Sequence, residues 1–480
     1  MGARIAVASA RVLGLTLIVL LADGLPLSAQ ITTGAVSGYV IDPSGKPVPR
    51  AEVAAADPQR GSSRKTVTDD TGFYRFADLA PAVYEVSASA PGFATTRLTA
   101  TLLVDAHVRL DLRLSIAGLT EQVDVAARVE PVQSESGELG GVIDQRRIQA
   151  LPLNRRDFLQ LSLLVPGVQP PVEGSELSAR GSFAMHANGG REEHNNFILD
   201  GVDNNDPYVN RYVVQPSVDG IQEFKVATNS YSAEYGRSAA GQVNVVTRGG
   251  TNDFSLFAYE YFRNRALNAR NYFDGEEKPE FNRNQFGFGA GGPLARNRTF
   301  VFGTVDFLRE RRGLSRLATV PTLDVRGGDL SSLGRTITDP FTGQPFPGNA
   351  IPPGRISPIA LKILDLFPPP NLPGSSGNYL NNAVLRNDVT QAQVRVDHRV
   401  AAGDLLTARY NHGLTDAYEP YAEDTESAPG FGDYLRDGAQ NLMLQYQRTL
   451  GARTVNSLRF GFNRFDRELL PENHATDVGA

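Results

Sequence analysis

The chain has 480 residues and a mass of 51.9 kDa, which is enough for two or three domains, each with its own core. A mean hydropathy of -0.25 excludes a helical-bundle membrane protein, but not a β-barrel, whose strands alternate apolar and polar residues. The formal net charge of -6 gives no basic surface for nucleic acid. Because cysteine is absent, disulfides, thiolate nucleophiles and thiolate metal sites are excluded together.

The N-terminus predicts export. Arg4 and Arg11 precede the apolar run Val12–Leu21, and small residues around Ala29 offer a cleavage site before Gln30. The run is about half the ~20 residues that a membrane-spanning helix needs. We therefore expect residues 1–29 to be a signal peptide, and we expect no transmembrane helix elsewhere.

Residues 31–114 alternate short strand patterns with turn residues, which predicts a small antiparallel sandwich. The segment resembles the carboxypeptidase-regulatory-like domain in the following residues: Gly38, Val40, Asp42, Gly45, Pro47, Thr68, Asp69, Gly72, Tyr74, Phe76, Leu79, Pro81, Tyr84, Gly92 and Phe93. The resemblance implies a transthyretin-like β-sandwich without peptidase chemistry of its own. Some such modules are classed as carbohydrate-binding-like folds, but no aromatic platform here supports sugar binding.

Residues 115–136 form a polar linker with one short alternating run. That run is either the last strand of the sandwich or an exposed strand that pairs with the sheet edge of a partner. It is similar to the TonB box of TonB-dependent transporters, although Asp124 interrupts the valine pair of that motif. The candidate partner-binding residues are Thr120, Glu121, Gln122, Val123, Asp124 and Val125.

Residues 137–249 predict a mixed α/β unit of ordinary domain size. A short helix is expected at Gln145–Ala150, and a second should end at Pro166-Gly167 with Phe158, Leu161 and Leu164 on one face. The run Phe197–Leu199 reads as a strand that enters a tight turn at Asp200-Gly201. Further strands are expected at Gln222–Thr228 and Gly241–Arg248.

This unit resembles the plug of TonB-dependent transporters, and with the preceding sandwich it resembles their Oar-like subclass. The motifs that carry the resemblance are Leu151-Pro152-Leu153-Asn154-x-Arg156, Pro166-Gly167-Val168, Gly189-x-Arg191, Leu199-Asp200-Gly201-Val202, Ile221, Glu223-Phe224, Glu234-Tyr235-Gly236 and Gly241-x-Val243-Asn244-Val245-Val246-Thr247. The resemblance implies that seven of these residues belong to plug motifs: Arg156, Gly189, Arg191, Asp200, Gly201, Glu234 and Gly236.

Residues 250–480 predict about seven membrane strands, each near the ~9–11 residues that a tilted transmembrane strand needs. The expected strands are Asn252–Arg263, Asn284–Gly292, Thr299–Arg309, Val389–Val400, Leu405–His412, Gln440–Arg448 and Thr454–Phe465. Six of them alternate cleanly; the last sets Leu458, Phe460 and Phe462 against Ser457, Arg459 and Asn463. Long and short connections alternate, as in barrels with short periplasmic turns and long external loops. The fold class is therefore mainly β: a sandwich, a small α/β plug and the first strands of an incomplete antiparallel transmembrane β-barrel.

Candidate sites for chemistry are few. Asp200, Asp203 and Asp206 could bind calcium through oxygen, but no twelve-residue loop with a closing glutamate follows, so a polar turn is favoured. The pattern Gly287-x-Gly289-x-x-Gly292 matches a dinucleotide fingerprint by letter only, because it lies in an alternating strand. The histidines His186 and His194 do not have the spacing of a metal-ligand pair. We expect no catalytic residue, no metal and no cofactor, and therefore no enzyme.

The long connection Glu310–Asp388, rich in proline and phenylalanine, is a candidate lid over the ligand, with a floppy linker as the alternative. The resemblance implies a transporter in the bacterial outer membrane, with its N-terminal domains in the periplasm. Its partners would be the energy-transducing TonB complex of the inner membrane, outer-membrane lipid and an unidentified ligand. A surface or periplasmic binding or adhesion protein that does not transport is the alternative.

Seven strands are an odd number, and plugged transporter barrels have 22. Single-chain bacterial barrels are even-stranded and closed, since an open edge in lipid is costly. We therefore expect the chain to be an N-terminal fragment or a truncated product of a longer protein.

Overall fold

The computed structural model describes residues 33–117, 137–172, 183–207, 210–237, 239–270, 278–421, 430–451 and 454–475. The expected signal peptide and the candidate TonB box lie outside these residues. The described residues form three parts, which we call the sandwich (33–117), the inner unit (137–249) and the wall (250–475). Among the described residues, no helix has both the length and the apolar character that a membrane crossing requires.

The sandwich has ten strands, in agreement with the small sandwich that the sequence predicts. They are β1 (Gly34–Ile41), β2 (Glu52–Asp57), β3 (Ser62–Val67), β4 (Phe73–Leu79), β5 (Ala82–Ser89), β6 (Phe93–Ala94), β7 (Thr96–Leu102), β8 (His107–Arg109), β9 (Leu112–Arg113) and β10 (Ser115–Ile116). One sheet has the order β3-β2-β5-β7, and β1 is the centre of the other, between β4 and the parallel strands β8 and β9. The polar strand β3 lies at the edge of its sheet, where alternate residues are exposed.

Two glycines of the sandwich motif have clear geometric roles. A Cβ at Gly38 would lie 2.0 Å from the carbonyl oxygen of Leu110, so only glycine lets these backbones approach. Gly72 has φ +75° and closes the turn in which the Asp69 carboxylate accepts hydrogen bonds from the backbone of Thr71 and Phe73. Tyr74 is buried and donates to the carbonyl of Leu110 at 2.6 Å.

The inner unit is built on a five-stranded mixed sheet of order β11-β16-β17-β14-β15. The strands of that sheet are β11 (Leu139–Asp144), β14 (Asn196–Leu199), β15 (Val202–Asp203), β16 (Ile221–Asn229) and β17 (Gln242–Thr247). Strands β12 (Val168–Gln169) and β13 (His186–Ala187) pair separately, and α1 spans Gln145–Ala150. Short 3-10 helices cover Asn154–Arg156, Phe158–Leu164, Glu192–His194 and Val218–Gly220.

The second predicted helix is present, but it ends at Leu164 and not at Pro166-Gly167, and one expected core residue is wrong. The segment Phe158–Leu164 is a 3-10 helix, with Phe158, Leu159 and Leu161 buried and Leu164 59% exposed. The chain turns at this point, and the next residue, Val165, takes the place in the core.

The wall is one antiparallel sheet of seven strands in chain order, as predicted. The strands are β18 (Ser255–Asn264), β19 (Phe281–Ala295), β20 (Thr299–Ala318), β21 (Tyr379–Ala401), β22 (Asp404–Glu419), β23 (Asp433–Leu450) and β24 (Thr454–Pro471). Most strands are longer than expected, because they continue beyond their alternating apolar segments into the polar residues of the hairpins. Within the described residues, β18 and β24 each pair on one side only.

The long connection between β20 and β21 is an ordered structure, and its expected length was too great. Strand β20 extends to Ala318 and β21 begins at Tyr379, which shortens the connection to residues 319–378. It contains α2 (Leu323–Arg326), α3 (Pro358–Asp365) and 3-10 turns at Ser331–Leu333, Pro347–Asn349 and Pro353–Arg355. The Arg326 guanidinium donates to the carbonyl oxygens of Leu364, Phe367 and Pro368 and ties its two halves together.

Burial in the wall is inverted relative to a water-soluble sheet. Arg409, Asn411 and Asn441 are at most 1% exposed on the face toward the inner unit, whereas Leu458 and Phe460 on the other face are 61% and 57% exposed. A large apolar face without a protein cover fits hydrocarbon rather than water. The wall therefore presents its apolar side to lipid and its polar side to the inner unit.

A charge on the apolar face should prevent insertion. For Phe460→Arg we expect a loss of roughly 2–4 kcal/mol in membrane insertion, since the guanidinium would face hydrocarbon. The measurement is the fraction of folded, protease-resistant chain in lipid vesicles. Ser457→Arg, on the inward face of the same strand, is the control and should insert almost normally; equal losses would contradict this orientation.

Candidate functional site

The main contact between the inner unit and the wall is a buried ionic network around Asp200. This residue follows β14 and has φ +49°, and Gly201 after it has φ +73°, so the predicted tight turn is confirmed. The turn aims the carboxylate at the wall. There Arg409 of β22 donates through Nε to Asp200 Oδ2 at 3.0 Å and through Nη2 to the carbonyl oxygen of Leu199 at 2.9 Å.

Both partners of this ion pair are removed from water. The side chains of Arg409 and Asp200 are 0% and 5% exposed. The remaining donors of Arg409 bind Asn411 Oδ1 at 2.9 Å and Asn441 Oδ1 at 2.5 Å. Asp200 also accepts from the backbone nitrogen of Thr247 at 2.9 Å and from its hydroxyl at 2.7 Å. Such full pairing offsets the cost of removing two charged groups from water.

A second arginine joins the same strands to the network. Arg395 of β21 donates to the carbonyl oxygen of Thr247 at 2.7 Å, and its Nη1 lies 3.7 Å from Asp200 Oδ1. Its Nε contacts Asp397 at 3.0 Å. Strands β14 and β17 are parallel neighbours. Arg409 and Arg395 thus bind their C-terminal ends to the wall.

Glycines on both sides of the interface allow the inner unit and the wall to pack closely. A Cβ at Gly461 of β24 would lie 2.6 Å from Val202, and a Cβ at Gly201 would lie 1.9 Å from Arg459. The glycines of the β19 pattern have a related role: a Cβ at Gly289 would lie 2.4 Å from the ring of Phe257. Within this pattern Gly289 and Gly292 make room for the rings of Phe257 and Phe254, and the absence of a nucleotide site remains a prediction.

A second polar seam joins the sandwich to the inner unit. Glu223 of β16 is 3% exposed and accepts a hydrogen bond from the backbone nitrogen of Val104. Beside it, Lys225 contacts Asp105 at 2.8 Å and Glu138 at 2.6 Å. Desolvation, with a smaller repulsion from Asp144, raises the pKa of Glu223 to about 8. Near neutral pH this seam therefore holds a carboxyl group that stays largely protonated.

The sandwich also contacts the wall at the end of the sheet where the short turns lie. Gln447 donates to the carbonyl oxygen of Asp78 at 2.9 Å, and Arg399 donates to that of Gly61 at 3.2 Å. The backbone nitrogen of Asn252 donates to the carbonyl oxygen of Gln59 at 2.9 Å. The sandwich thus bridges the inner unit and the rim of the wall.

Three of the seven predicted plug-motif residues meet the wall. Asp200 and Gly201 lie in the network described above. Arg156 binds Asp219 at 2.5 Å, and its guanidinium lies 4.1 Å from the ring of Tyr259 in β18. Asp200 lies in the expected polar turn, but it also forms an ion pair that the sequence did not predict. Its partner, Arg409, is more than 200 residues away in sequence.

The other four lie elsewhere. Gly189 has φ +75°, and the exposed Arg191 precedes the short helix Glu192–His194. Glu234 and Gly236 are exposed in a turn whose Tyr235 donates to Asp105 of the sandwich at 3.1 Å. These four residues keep only the predicted role of motif members. Within the described residues no cluster of three or more histidine, aspartate or glutamate side chains could hold a metal, and the absence of a cofactor remains a prediction.

Sequence reasoning missed Arg409, Asn441 and Glu223 as site residues. Arg409 and Asn441 lie in predicted strands, where their alternation placed them on the polar face. No signal in the sequence separates a pore-lining arginine from one that is wholly buried against another unit. Only the three-dimensional register shows which polar residue meets Asp200.

Comparison with known proteins matches two segments of the chain to family models. Residues 35–115 match the model of the carboxypeptidase regulatory-like domain, and residues 246–480 match that of an outer membrane beta barrel domain. The chain is 27% identical over 292 residues to the TonB-dependent transporter Oar of Myxococcus xanthus. The chain is thus similar in sequence to a TonB-dependent transporter, and its outer membrane beta barrel domain places it in the bacterial outer membrane.

The match with that TonB-dependent transporter covers 57% of this chain and 26% of the relative, so the chain spans about a quarter of the relative's length. Among solved structures, the outer membrane transporter YddB from Escherichia coli is 11% identical, with a TM-score of 0.45, over 68% of this chain and 38% of its own. The siderophore receptor PirA from Acinetobacter baumannii is 14% identical, with a TM-score of 0.36, over 69% of this chain and 44% of its own.

Proposed function

We propose that the chain takes part in energy-dependent uptake of a ligand across the outer membrane, with the inner unit as the plug. The observation that carries this proposal is the buried network of Asp200, Arg409 and Arg395. It joins the inner unit to the polar face of a wall whose other face suits lipid. A unit held inside a membrane wall by polar contacts can block a passage and can be displaced from it.

Polar contacts suit a plug that must move. An apolar interface would have to expose its surface to water on release, whereas arginines and carboxylates regain hydration when they separate. The ionic network therefore holds the resting position without making displacement prohibitively costly. We propose that force reaches the inner unit through the linker before it, where Thr120–Val125 would pair with a sheet edge of the TonB complex.

In this proposal the sandwich and inner unit face the periplasm at the end where the wall has its short turns. The edges of β18 and β24 that have no partner strand among the described residues would pair with further strands, because unpaired backbone groups are costly in hydrocarbon. No catalytic role is part of the proposal.

The test is a photo-crosslinking amino acid placed at Val123 in intact cells. We expect a covalent adduct with TonB, because a strand added to a partner's sheet brings side chains into direct contact. The same amino acid at Arg75, exposed on the sandwich, is the control and should give no adduct. A second probe, at Ala126, should also give the TonB adduct. Replacing Thr120–Val125 by prolines should abolish the adduct of the Ala126 probe. An adduct that persists would contradict strand pairing.

A further inference from the structure

We propose that the sandwich is an autoinhibitory catch, which holds the inner unit in its resting position until the sandwich detaches from the rim of the wall. This inference deepens the proposed function by adding a control on displacement of the inner unit, and its role in uptake rests on that function. The sandwich is bound to both other parts, and its more solvated attachment lies where the inner unit joins the wall.

The sandwich and the inner unit are joined by a seam of buried polar contacts. Lys225 of the inner unit, whose side chain is 5% exposed, lies between Asp105 of the sandwich and Glu138. Beside it, the amide of Gln222 donates to the carbonyl oxygen of Pro81 in the sandwich at 2.9 Å. Because polar contacts are stronger where little water reaches them, we expect the sandwich and the inner unit to move as one body.

The attachment of the sandwich to the wall, which we call the rim contact, is smaller and more solvated. It consists of the hydrogen bonds that join Gln59, Gly61 and Asp78 of the sandwich to Asn252, Arg399 and Gln447 of the wall, respectively. In each case a backbone carbonyl oxygen of the sandwich accepts, and the bond to Gly61 is exposed. Since water competes for exposed hydrogen bonds, the rim contact should separate before the seam does.

The rim contact lies at the point about which the inner unit would turn. Gly249-Gly250 connects β17 of the inner unit to Asn252, which the carbonyl oxygen of Gln59 holds by its backbone nitrogen. The side chain of Asn252 donates to Asn297 in the β19–β20 turn at 2.7 Å, and Gly61 packs against that same asparagine. An inner unit that leaves the wall stays covalently attached here, so the sandwich fixes its pivot.

Force on the linker would act on one body at both ends. The linker follows Ala117 of the sandwich and leads to Gly137, which directly precedes Glu138 of the seam. A pull on the linker therefore draws the sandwich and the inner unit in the same direction, away from the wall. While the rim contact is closed, that contact and the network around Asp200 both resist the pull. Once the rim contact has opened, the network alone holds the inner unit.

The experiment measures how often the inner unit leaves the wall in the purified full chain in detergent. The probe is a thiol at Ser217, which is 5% exposed in the inner unit, and its maleimide labelling is read at that peptide by mass spectrometry. The test variant is R399M/Q447M, which removes two donors of the rim contact. The matched control is R448M/Q440M, whose arginine pairs with a carboxylate of the wall itself. We expect roughly tenfold faster labelling in the test variant, because hydrogen bonds that hold the body are lost, and less than about a twofold change in the control.

A crosslink provides the opposite test. A Cβ at Gly61 would lie 3.2 Å from the Cβ of Asn297, close to the ~3.5–4.5 Å that separates the Cβ atoms of a disulfide. Oxidation of G61C/N297C should therefore tie the sandwich to the wall and slow labelling of the Ser217 thiol by roughly tenfold or more, since the opening that exposes it is blocked. Reduction and desalting should restore fast labelling in the same molecules, which separates the catch from any effect of the substitutions on folding.

Lys225→Met tests whether the rim contact acts through the sandwich. In that chain two carboxylates of the seam lose their cation, so the sandwich is no longer held firmly to the inner unit. Adding R399M/Q447M to Lys225→Met should then leave labelling of the Ser217 thiol unchanged. A further increase would show that the wall residues act without the sandwich and would overturn the catch.

Equal labelling of the test and control variants, or labelling of the crosslinked chain that does not change on reduction, would also overturn the catch. The assay contains no TonB, so its outcome is separate from that of the Val123 crosslink. Expected labelling without an adduct at Val123 would leave the catch and contradict the energised partner. An adduct at Val123 without an effect of the rim contact would leave the proposed function and overturn the catch.

Discussion

Replacing Arg409 by methionine should loosen the inner unit from the wall more than any other single change at this interface. The substitution leaves the Asp200 carboxylate buried with its main charge partner removed. Breaking one side of a buried pair costs about 3–5 kcal/mol, because the remaining charge is neither hydrated nor compensated. The free energy holding the inner unit against the wall should fall by that amount.

The measurement is thiol labelling, which is specific here because none of the 480 residues is a cysteine. A thiol introduced at Ser217, which is 5% exposed in the inner unit, would be the only one in the chain. Its rate of maleimide labelling reports how often the inner unit leaves the wall. With Arg409→Met the rate should rise roughly a hundredfold or more, since each 1.4 kcal/mol corresponds to a factor of ten.

Two variants control this prediction. Arg464→Met breaks the outward pair with Asp466, whose side chains are 58% and 60% exposed, and should cost less than about 1 kcal/mol. Adding Asp200→Asn to Arg409→Met should recover part of the loss, because the uncompensated charge is then gone. If labelling is the same in Arg409→Met and Arg464→Met, the buried pair does not hold the unit.

The architecture was predictable from the sequence because it rests on local patterns. All seven wall strands were expected in the correct order, since alternation such as Leu458, Phe460 and Phe462 against Arg459 fixes both the strand and its faces. The turn at Asp200-Gly201 was predictable for the same reason. In both cases the signal lies within a few residues.

The site was not predictable, because its partners are distant in sequence. Asp200 meets Arg409 only when the inner unit lies against the wall, and Glu223 meets Val104 only when the sandwich lies against the inner unit. A lone glutamate in a strand gives no sign that a backbone donor 119 positions earlier will cover it. The loop at residues 319–378 was expected, but its ordered structure was not predictable, since Arg326 orders it through carbonyl groups that carry no side-chain signal.

The seam around Glu223 should make docking of the sandwich depend on pH. In the docked state the pKa of this carboxyl group is about 8, raised mainly by desolvation from an ordinary value of 4.5. Below 4.5 the group is protonated whether docked or not, and docking carries no penalty. Between 4.5 and 8 the undocked group releases its proton while the docked one keeps it, so docking weakens as pH rises and is weakest above 8.

The total effect should be large. Each unit of pKa difference corresponds to about 1.4 kcal/mol, so docking should be roughly 3–5 kcal/mol weaker at pH 9 than at pH 4.5. A single thiol at Gln222, whose amide donates to Pro81 of the sandwich at 2.9 Å, would report undocking by its labelling, corrected for the ionisation of a free thiol. Labelling should increase with pH through the range between 4.5 and 8.

Glu223→Gln should remove this dependence, because glutamine is neutral at every pH and its amide oxygen can still accept from Val104. Glu85→Gln, at a side chain 45% exposed on the sandwich, should leave the dependence unchanged. If the Gln222 thiol responds to pH equally in Glu223→Gln and Glu85→Gln, another group governs the seam. If only Glu223→Gln flattens the response, one buried carboxyl group sets how firmly the sandwich bridges the inner unit and the wall.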